Sequence, residues 1–429
     1  MDTVEEKFLL ASIFIKDGKA VMSKDDHTEC GDLKDLAVRF NDSGVDRIII
    51  FDLSDDDDEH ELNLLAIRQL NRNLEIPSCG SGNIKRMEDI KKLIYAGCKF
   101  VMLNAAKPEC IDLAKEGASR FGKDRMLVSI HNVDFIFKHQ NELNDIFHAC
   151  LVLKGTVLDA VENISMLPYV IQYSGNDMDE VEELLARENA IGIIGNVFNN
   201  PGTDFMSIKS ALAGKGLSMG NFKPALSFSQ LKTNSDGLVP VVVQDYKTDE
   251  VLMLAYMNAE SFDKTIQTGK MHYFSRSRQK LWMKGEESGH LQFVKSLTAD
   301  CDYDTVLAKV SQVGVACHTG SPTCFFNDIV TKDCSEKNPL RIFEEVYATI
   351  MDRKLNPKEG SYTNYLFDKG IDKILKKVGE EATEIIIAAK NPDPEEVKYE
   401  ISDFLYHMMV MMVEYGVTWE DVTQELSRR

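Results

Sequence analysis

Between Phe8 and Asn221, eight short apolar runs alternate with helix-length stretches, and this alternation restricts the fold more than anything else in the chain. The runs are Leu9–Ile15, Arg47–Leu53, Ile76–Cys79, Phe100–Leu103, Met126–Ile130, Cys150–Leu153, Tyr169–Gln172 and Ile191–Gly195. Amphipathic segments such as Leu33–Ser43, Glu61–Asn73, Arg86–Ala96 and Met178–Glu188 lie between them. Strands alternating with helices build either a (βα)₈ barrel or an open doubly wound sheet, and a set of eight reads as the barrel. Gly44 and Gly97 fall where a helix wants a left-handed C-cap before the next strand.

The rest of the chain changes character twice. Residues 222–237 carry Pro224, several serines and Asp236-Gly237 without periodicity, and read as a linker. Strand formers then dominate to about Asp328, beginning with a hairpin in which Val239–Gln244 and Val251–Ala255 flank Tyr246–Glu250. After a second break at Lys332–Pro339, Leu340–Arg429 is almost wholly helical in pattern. Three segments suit 429 residues at about 150 per domain.

Acidic residues outnumber basic ones by 69 to 49, a net charge of −20. Such a chain is a poor candidate for coating nucleic acid or an anionic membrane, since both attract Lys and Arg. Met1 leads into Asp2, Glu5 and Glu6 rather than a basic, then apolar, leader, and no apolar stretch reaches the ~18 residues of a membrane span. With an odd count of nine cysteines, a reducing, cytoplasmic setting is expected, in which Cys serves as core, ligand or nucleophile.

The densest chemistry is Asp300-Cys301-Asp302-Tyr303-Asp304, followed by Cys317-His318-Thr319-Gly320 and Cys324. Three thiolates can converge on one tetrahedral Zn²⁺ and leave a fourth position for water, whose pKa falls to about 7. If the first stretch is extended, Asp300, Asp302 and Asp304 share one face as an oxygen site for Mg²⁺, with Cys301 on the other. The competing reading is small buried hydrophobes beside an acidic turn. Upstream, Ser275-Arg276-Ser277-Arg278 suits a phosphate and Trp282 can stack on a base, with Lys284-Gly285-Glu286 and Ser288-Gly289-His290 close behind. A basic surface loop with one core Trp explains that composition almost as well.

Together these residues, with Leu252–Asn258, closely resemble phosphoribosyl-AMP cyclohydrolase over nearly the whole segment. The resemblance implies hydrolytic opening of the adenine six-membered ring in histidine biosynthesis. It implies Zn²⁺ on Cys301, Cys317 and Cys324, Mg²⁺ on Asp300, Asp302 and Asp304, and proton transfer by His318 or His290. It also implies a homodimer, since in that family the first cysteine reaches the metal from the partner subunit.

In the helical segment, Glu381 and Glu384 stand three apart, and Glu400 and Asp403 repeat the spacing on the next long helix. Packed antiparallel, the two helices would aim four carboxylates into one gap, an arrangement that calls for Mg²⁺; otherwise they are two solvated faces. The pattern resembles the all-helical nucleoside triphosphate pyrophosphohydrolases, and Lys376–Ala382 with Asp403–His407 resembles phosphoribosyl-ATP pyrophosphohydrolase. That implies Mg²⁺ on the four carboxylates, help from Glu380, and phosphate neutralisation by Lys376 or Lys377. Its product is the cyclohydrolase substrate, so two consecutive steps share one chain.

Lys16-Asp17-Gly18, Asp52, Cys79–Lys85 and Asn104–Ala106 diffusely resemble the histidine-pathway barrels, the cyclase subunit of imidazole glycerol phosphate synthase and its sister isomerase. Those enzymes use an Asp at the ends of strands one and five, where this chain has Phe14 and His131. Phenylalanine cannot carry a proton, so the barrel is expected to be catalytically degenerate.

The expected protein is multidomain: an N-terminal (βα)₈ barrel over 1–221, linker 222–237, a central mostly-β cyclohydrolase domain with few helices over 238–331, linker 332–339, and a C-terminal all-α pyrophosphohydrolase domain over 340–429. Its substrates are small phosphoribosyl nucleotides. The rival readings are a housecleaning nucleotide pyrophosphatase with a structural zinc module, and a non-catalytic scaffold.

Overall fold

Side-chain parity organises the N-terminal domain. In the computed structural model, β1 (Phe8–Lys16) turns Leu9, Ala11, Ile13 and Ile15 toward the surrounding helices, while Leu10 lies with the barrel interior. The short β2 (Lys19–Val21) pairs antiparallel with its end. The other barrel strands are β3 (Arg47–Asp52), β4 (Ser78–Ser81), β5 (Phe100–Asn104), β6 (Met126–Ile130), β7 (Ala149–Val152), β8 (Tyr169–Tyr173) and β9 (Ala190–Gly195). Each pairs in parallel with the next, and β9 returns to β1 through Phe8–Leu10, closing an eight-stranded barrel among the described residues. These are residues 6–153, 158–165, 167–195, 198–199, 203–330, 341–391 and 393–427; the expected linker 332–339 lies outside them.

All eight expected strands are present, because burial on both faces made each a nearly continuous apolar run. Leu10, Ile49, Cys79, Met102, Leu151 and Val170 fill the interior and leave a cavity of about 30 Å³, room for about one water. Fully buried Ile48, Ile50, Ile67 and Leu70 pack the outer layer, each stabilising by roughly 1.5–3 kcal/mol relative to exposure. Asp32 caps the helix Leu33–Ser43, which ends at Gly44 with φ 88°, the left-handed turn expected there.

The central domain is a four-stranded sheet of β10 (Val239–Asp245), β11 (Val251–Met257), β14 (Gln292–Ala299) and β15 (Val306–Gln312), in the order β11-β10-β15-β14. The hairpin β12 (His272–Ser275) and β13 (Lys280–Met283) forms a separate two-stranded sheet, and one long helix, Ala259–Thr268, packs beside it. Val239, Val241, Val243, Val306, Ala308 and Val310 alternate into the core. Ahead of β10, Leu231 and Phe228 also pack against this core, so the segment 222–237 is partly seated on the domain it precedes.

Chain contacts divide the molecule into residues 1–328 and 329–429. In the second unit the described helices are Arg341–Leu355, Tyr362–Lys369, Ile371–Ala388, Pro394–Tyr415 and Trp419–Ser427. Its core is Ile350, Leu366, Ile374, Met409, Val410, Met412 and Val413. Among the described residues, no helix is long and apolar enough to cross a membrane.

Gly82, just past β4, has φ 96°, and a Cβ there would lie 2.1 Å from the Asp52 carbonyl oxygen. Gly82→Ala is therefore expected to destabilise the protein by about 2 kcal/mol or more, read as a lower urea midpoint by circular dichroism.

Candidate active sites

The central site is built where three irregular segments meet the sheet. The turn after β12, strand β13 with the loop that follows it, and the loop after β15 bring Arg278, Trp282, Lys284, His290, Cys317, His318 and Cys324 around one cavity of about 490 Å³. That volume suits a nucleotide-sized ligand. Ser275, Arg276 and Ser277 line an adjoining hollow that shares Arg278, Trp282 and Met253. Ser275 Oγ accepts from the Arg278 main-chain N–H at 3.2 Å, and the Arg276 guanidinium sits 3.9 Å from the Tyr256 ring centroid. Trp282 rests on Tyr273 with ring centroids 5.2 Å apart, which fixes its plane against the core.

Cys317 and Cys324 approach each other because two backbone bonds, Ala316 N to Pro322 O and Cys317 N to Ser321 O, fold the loop back on itself. The Thr319 hydroxyl, 3.1 Å from Cys317 Sγ, is the largest influence holding that thiol below its ordinary range; the Cys324 thiol contributes in the same direction. Burial, then Cys317 itself, pushes Cys324 up. This is the behaviour of two thiols sharing one negative charge. Burial lowers the Lys284 ammonium, against the nearby thiols that favour it charged. His318 Nδ1 lies 3.9 Å from Cys317 Sγ, and the His290 ring packs against Gly314.

Cys301 is exposed on the turn between β14 and β15, and the three sulfurs do not all lie within 4.8 Å of one another. The stretch Asp300–Asp304 is not extended, so the condition for placing its carboxylates on one strand face is not met. It is a tight reversal, because two antiparallel strands must be joined there, and Tyr303 takes φ 65°. The reversal still gathers Asp300, Asp302 and Asp304, with carboxylate oxygens within 4.8 Å of one another. Desolvation opposes the Asp300 charge, but the Thr305 and Asp304 main-chain N–H groups outweigh it and hold the carboxyl below its usual value.

In the C-terminal domain the helices Ile371–Ala388 and Pro394–Tyr415 bring Glu381, Glu384 and Glu400 within the same 4.8 Å limit; Asp403 is outside that group. Glu381 is buried, and the Lys377 ammonium at 2.8 Å outweighs desolvation to keep it ionised. Glu384 is raised, chiefly by its hydrogen bond with Glu381 and then by Coulomb repulsion from it. Glu380 lies 3.1 Å from Lys377 and 3.3 Å from Lys376, and both lysines lower it. His407, a residue not singled out in the sequence, backs Glu381 at 3.6 Å while its other ring nitrogen meets the Tyr362 hydroxyl at 3.1 Å. Its place one turn after Asp403 on the same helix was the available signal.

At the C-terminal end of the barrel, Phe14 lies in register with Phe51 and stacks on it, centroids 5.3 Å apart. His131 follows the fifth barrel strand, half-buried. Asp52 is buried and engaged by His60 Nδ1 at 2.5 Å, Asn63 Nδ2 at 2.6 Å and the Ser54 main-chain N–H at 2.9 Å.

Three family models match: phosphoribosyl-AMP cyclohydrolase over residues 253–326, phosphoribosyl-ATP pyrophosphohydrolase over 343–429, and histidine biosynthesis protein over 9–161. The histidine biosynthesis bifunctional protein HisIE of Thermoanaerobacter pseudethanolicus is 54% identical over 209 residues, spanning 97% of that protein and 46% of this chain. The protein of the same name from Lactococcus lactis is 54% identical over 192 residues, 88% of its length and 45% of this chain. That of Bacillus subtilis is 48% identical over 200 residues, 95% of its length and 47% of this chain. The chain belongs to the HisIE family of bifunctional histidine biosynthesis proteins, and it is an enzyme in which a phosphoribosyl-AMP cyclohydrolase domain is followed by a phosphoribosyl-ATP pyrophosphohydrolase domain.

Proposed function

We propose that the C-terminal domain hydrolyses phosphoribosyl-ATP to phosphoribosyl-AMP and pyrophosphate, and that the central domain then opens the adenine six-membered ring, the second and third steps of the pathway. One observation carries this reading: a nucleotide-sized cavity holding two thiols and a packed carboxylate cluster stand on successive domains of one chain. Both reactions consume small phosphoribosyl nucleotides, so neither nucleic acid nor a membrane is a partner, and the setting is cytoplasmic.

The donor sets fit two metals. Cys317 and Cys324 are soft sulfur ligands, the first held below the ordinary thiol range, which suits Zn²⁺. Cys301 stands apart from the pair, and we infer that a second copy supplies it, giving a homodimer through the central domain. The hard oxygen sets Asp300, Asp302, Asp304 and Glu381, Glu384, Glu400, with Asp403, suit Mg²⁺. When bound, such ions supply Lewis-acid activation of water and neutralisation of phosphate charge.

The chain's own groups do the rest. Arg276, Arg278 and the hydroxyls of Ser275 and Ser277 bind phosphate, and Trp282 offers a face to the base. Water adds to the ring carbon that bears the exocyclic amine. His318 or His290 delivers a proton to the ribosylated ring nitrogen as its bond to that carbon breaks. Lys284 adds positive charge beside the thiols. In the C-terminal domain Lys377 and His407 orient Glu381, Glu380 assists in orienting water, and Lys376 and Lys377 meet phosphate oxygens. The N-terminal domain is closest in character to the cyclase-type barrel, with its acid–base positions replaced by Phe14 and His131.

Incubating the full chain with phosphoribosyl-ATP, Zn²⁺ and Mg²⁺ tests the order of steps. Cys317→Ala is expected to release pyrophosphate normally and accumulate phosphoribosyl-AMP. Glu381→Gln should slow pyrophosphate release by about 10²-fold, as loss of several kcal/mol of charge stabilisation requires, yet still open supplied phosphoribosyl-AMP. Pyrophosphate release without ring opening by the intact enzyme would overturn the central assignment.

The raised carboxyl of Glu384 gives a second test. A group raised in the native state favours folding when protonated, and that contribution is lost as pH rises through its folded pKa. Metal-free Glu384→Gln is therefore expected to melt higher than the parent at pH 7, with the difference vanishing below the ordinary carboxylate range. Adding Mg²⁺ should raise the melting temperature of the parent more than that of Glu384→Gln, as differential scanning fluorimetry can follow.

A further inference from the structure

The barrel meets the central domain through a polar contact centred on one irregularity in the sheet. The register of β14 against β15 shifts between Val294 and Ser296, so Lys295 occupies a β-bulge. Bulges re-aim a side chain out of the regular pleat. Here the ammonium of Lys295 reaches across to two carboxylates of the barrel, Asp42 Oδ1 at 3.1 Å and Glu75 Oε2 at 3.0 Å. Glu75 also accepts from the Tyr246 hydroxyl, which follows β10. The Ser311 hydroxyl, near the end of β15, donates to Asp42 Oδ2 at 2.8 Å.

Asp42 is the telling partner. Its side chain is only 4% exposed, and it sits in the last turn of the helix Leu33–Ser43, where the helix dipole disfavours a carboxylate. Its side-chain partners, Lys295 and Ser311, both come from the central domain. The barrel thus grips β14, β15 and the end of β10. One end of the β14–β15 pair carries the Asp300–Asp304 turn. The other leads within two residues to Gly314, which supports His290, and within five to Cys317.

We propose that the barrel is a buttress for the neighbouring ring-opening site: it fixes the β14–β15 hairpin and so sets the spacing between the acidic turn and the thiol loop. Asp42 and Glu75 are positioning residues; they touch neither substrate nor metal ligands. The proposal rests on reading the central cavity as the cyclohydrolase site, but its structural half does not.

The test uses the full chain carrying Asp42→Asn with Glu75→Gln. Expected are faster amide exchange across Gln292–Gln312 and a fall of about tenfold in ring-opening kcat, the size that small misplacement of reacting groups produces. Pyrophosphate release from phosphoribosyl-ATP should stay unchanged and serves as the control for folded enzyme. Glu75→Lys combined with Lys295→Glu should recover much of the protection and rate that Lys295→Glu alone loses. Should the double neutral variant not fold, Ser311→Ala removes a single bond to Asp42 and is expected to raise exchange in β15 alone. Unchanged exchange in the hairpin and unchanged ring opening would overturn the buttress. If the parent opens no ring while exchange still responds, the cyclohydrolase reading fails and the mechanical coupling stands.

Discussion

A carboxylate taken out of water needs a positive partner, and this chain has 20 more acids than bases. How that shortage is distributed explains much of the molecule. Where a lysine is available, geometry is fixed. Lys209 holds Asp46 at the barrel seam, although burial still keeps that carboxyl above its ordinary range, and Lys295 joins Asp42 and Glu75. Lys377 holds Glu381 against the cost of burial. Elsewhere carboxylates crowd together. Asp302 has its lysine, Lys232, only at 4.0 Å with both side chains more than half exposed, and Glu384 is raised by its own neighbours. The three aspartates of the first cluster are exposed, whereas the second runs from buried Glu381 to exposed Glu384.

The barrel was legible because its pattern is dictated by burial on two faces, which leaves few choices at each strand position. The clustering of three aspartates and of three glutamates was legible from residue type and spacing, whereas Cys301 and Asp403 stand outside the groups expected for them. Alternation of Asp with Cys and Tyr over Asp300–Asp304 would put the aspartates on one face only in a strand, but a hairpin reversal gathers the alternate carboxylates equally well. Asp403 repeats from Glu400 the spacing of Glu384 from Glu381, yet it falls outside the 4.8 Å group, so equal spacing along two helices does not bring all four carboxylates together.

The clamp between barrel and central domain was invisible for a different reason. Asp42, Glu75, Lys295 and Ser311 are ordinary surface residue types, separated by up to 269 positions. Only the fold brings them together, and only the β-bulge turns Lys295 toward them. Spacing rules work within one element. They carry no information about charges that meet across a domain boundary.

A barrel with Phe14 and His131 at its mouth precedes the cyclohydrolase and pyrophosphohydrolase domains on this chain. Phe14 and Phe51 stack at that end of the barrel, and a cavity of about 30 Å³ lies among Leu10, Ile49 and Met102. Asp52, the remaining carboxylate at the end of the second barrel strand, is committed to His60, Asn63 and the main chain. A (βα)₈ barrel nevertheless keeps its rigidity when its mouth changes, because stability resides in the strand layers and the helix-facing core. A rigid body that presents one buried and one exposed carboxylate at a fixed separation can hold an edge hairpin more firmly than a loop could. A changed mouth and retained outer helices are therefore compatible, since the two depend on different residues.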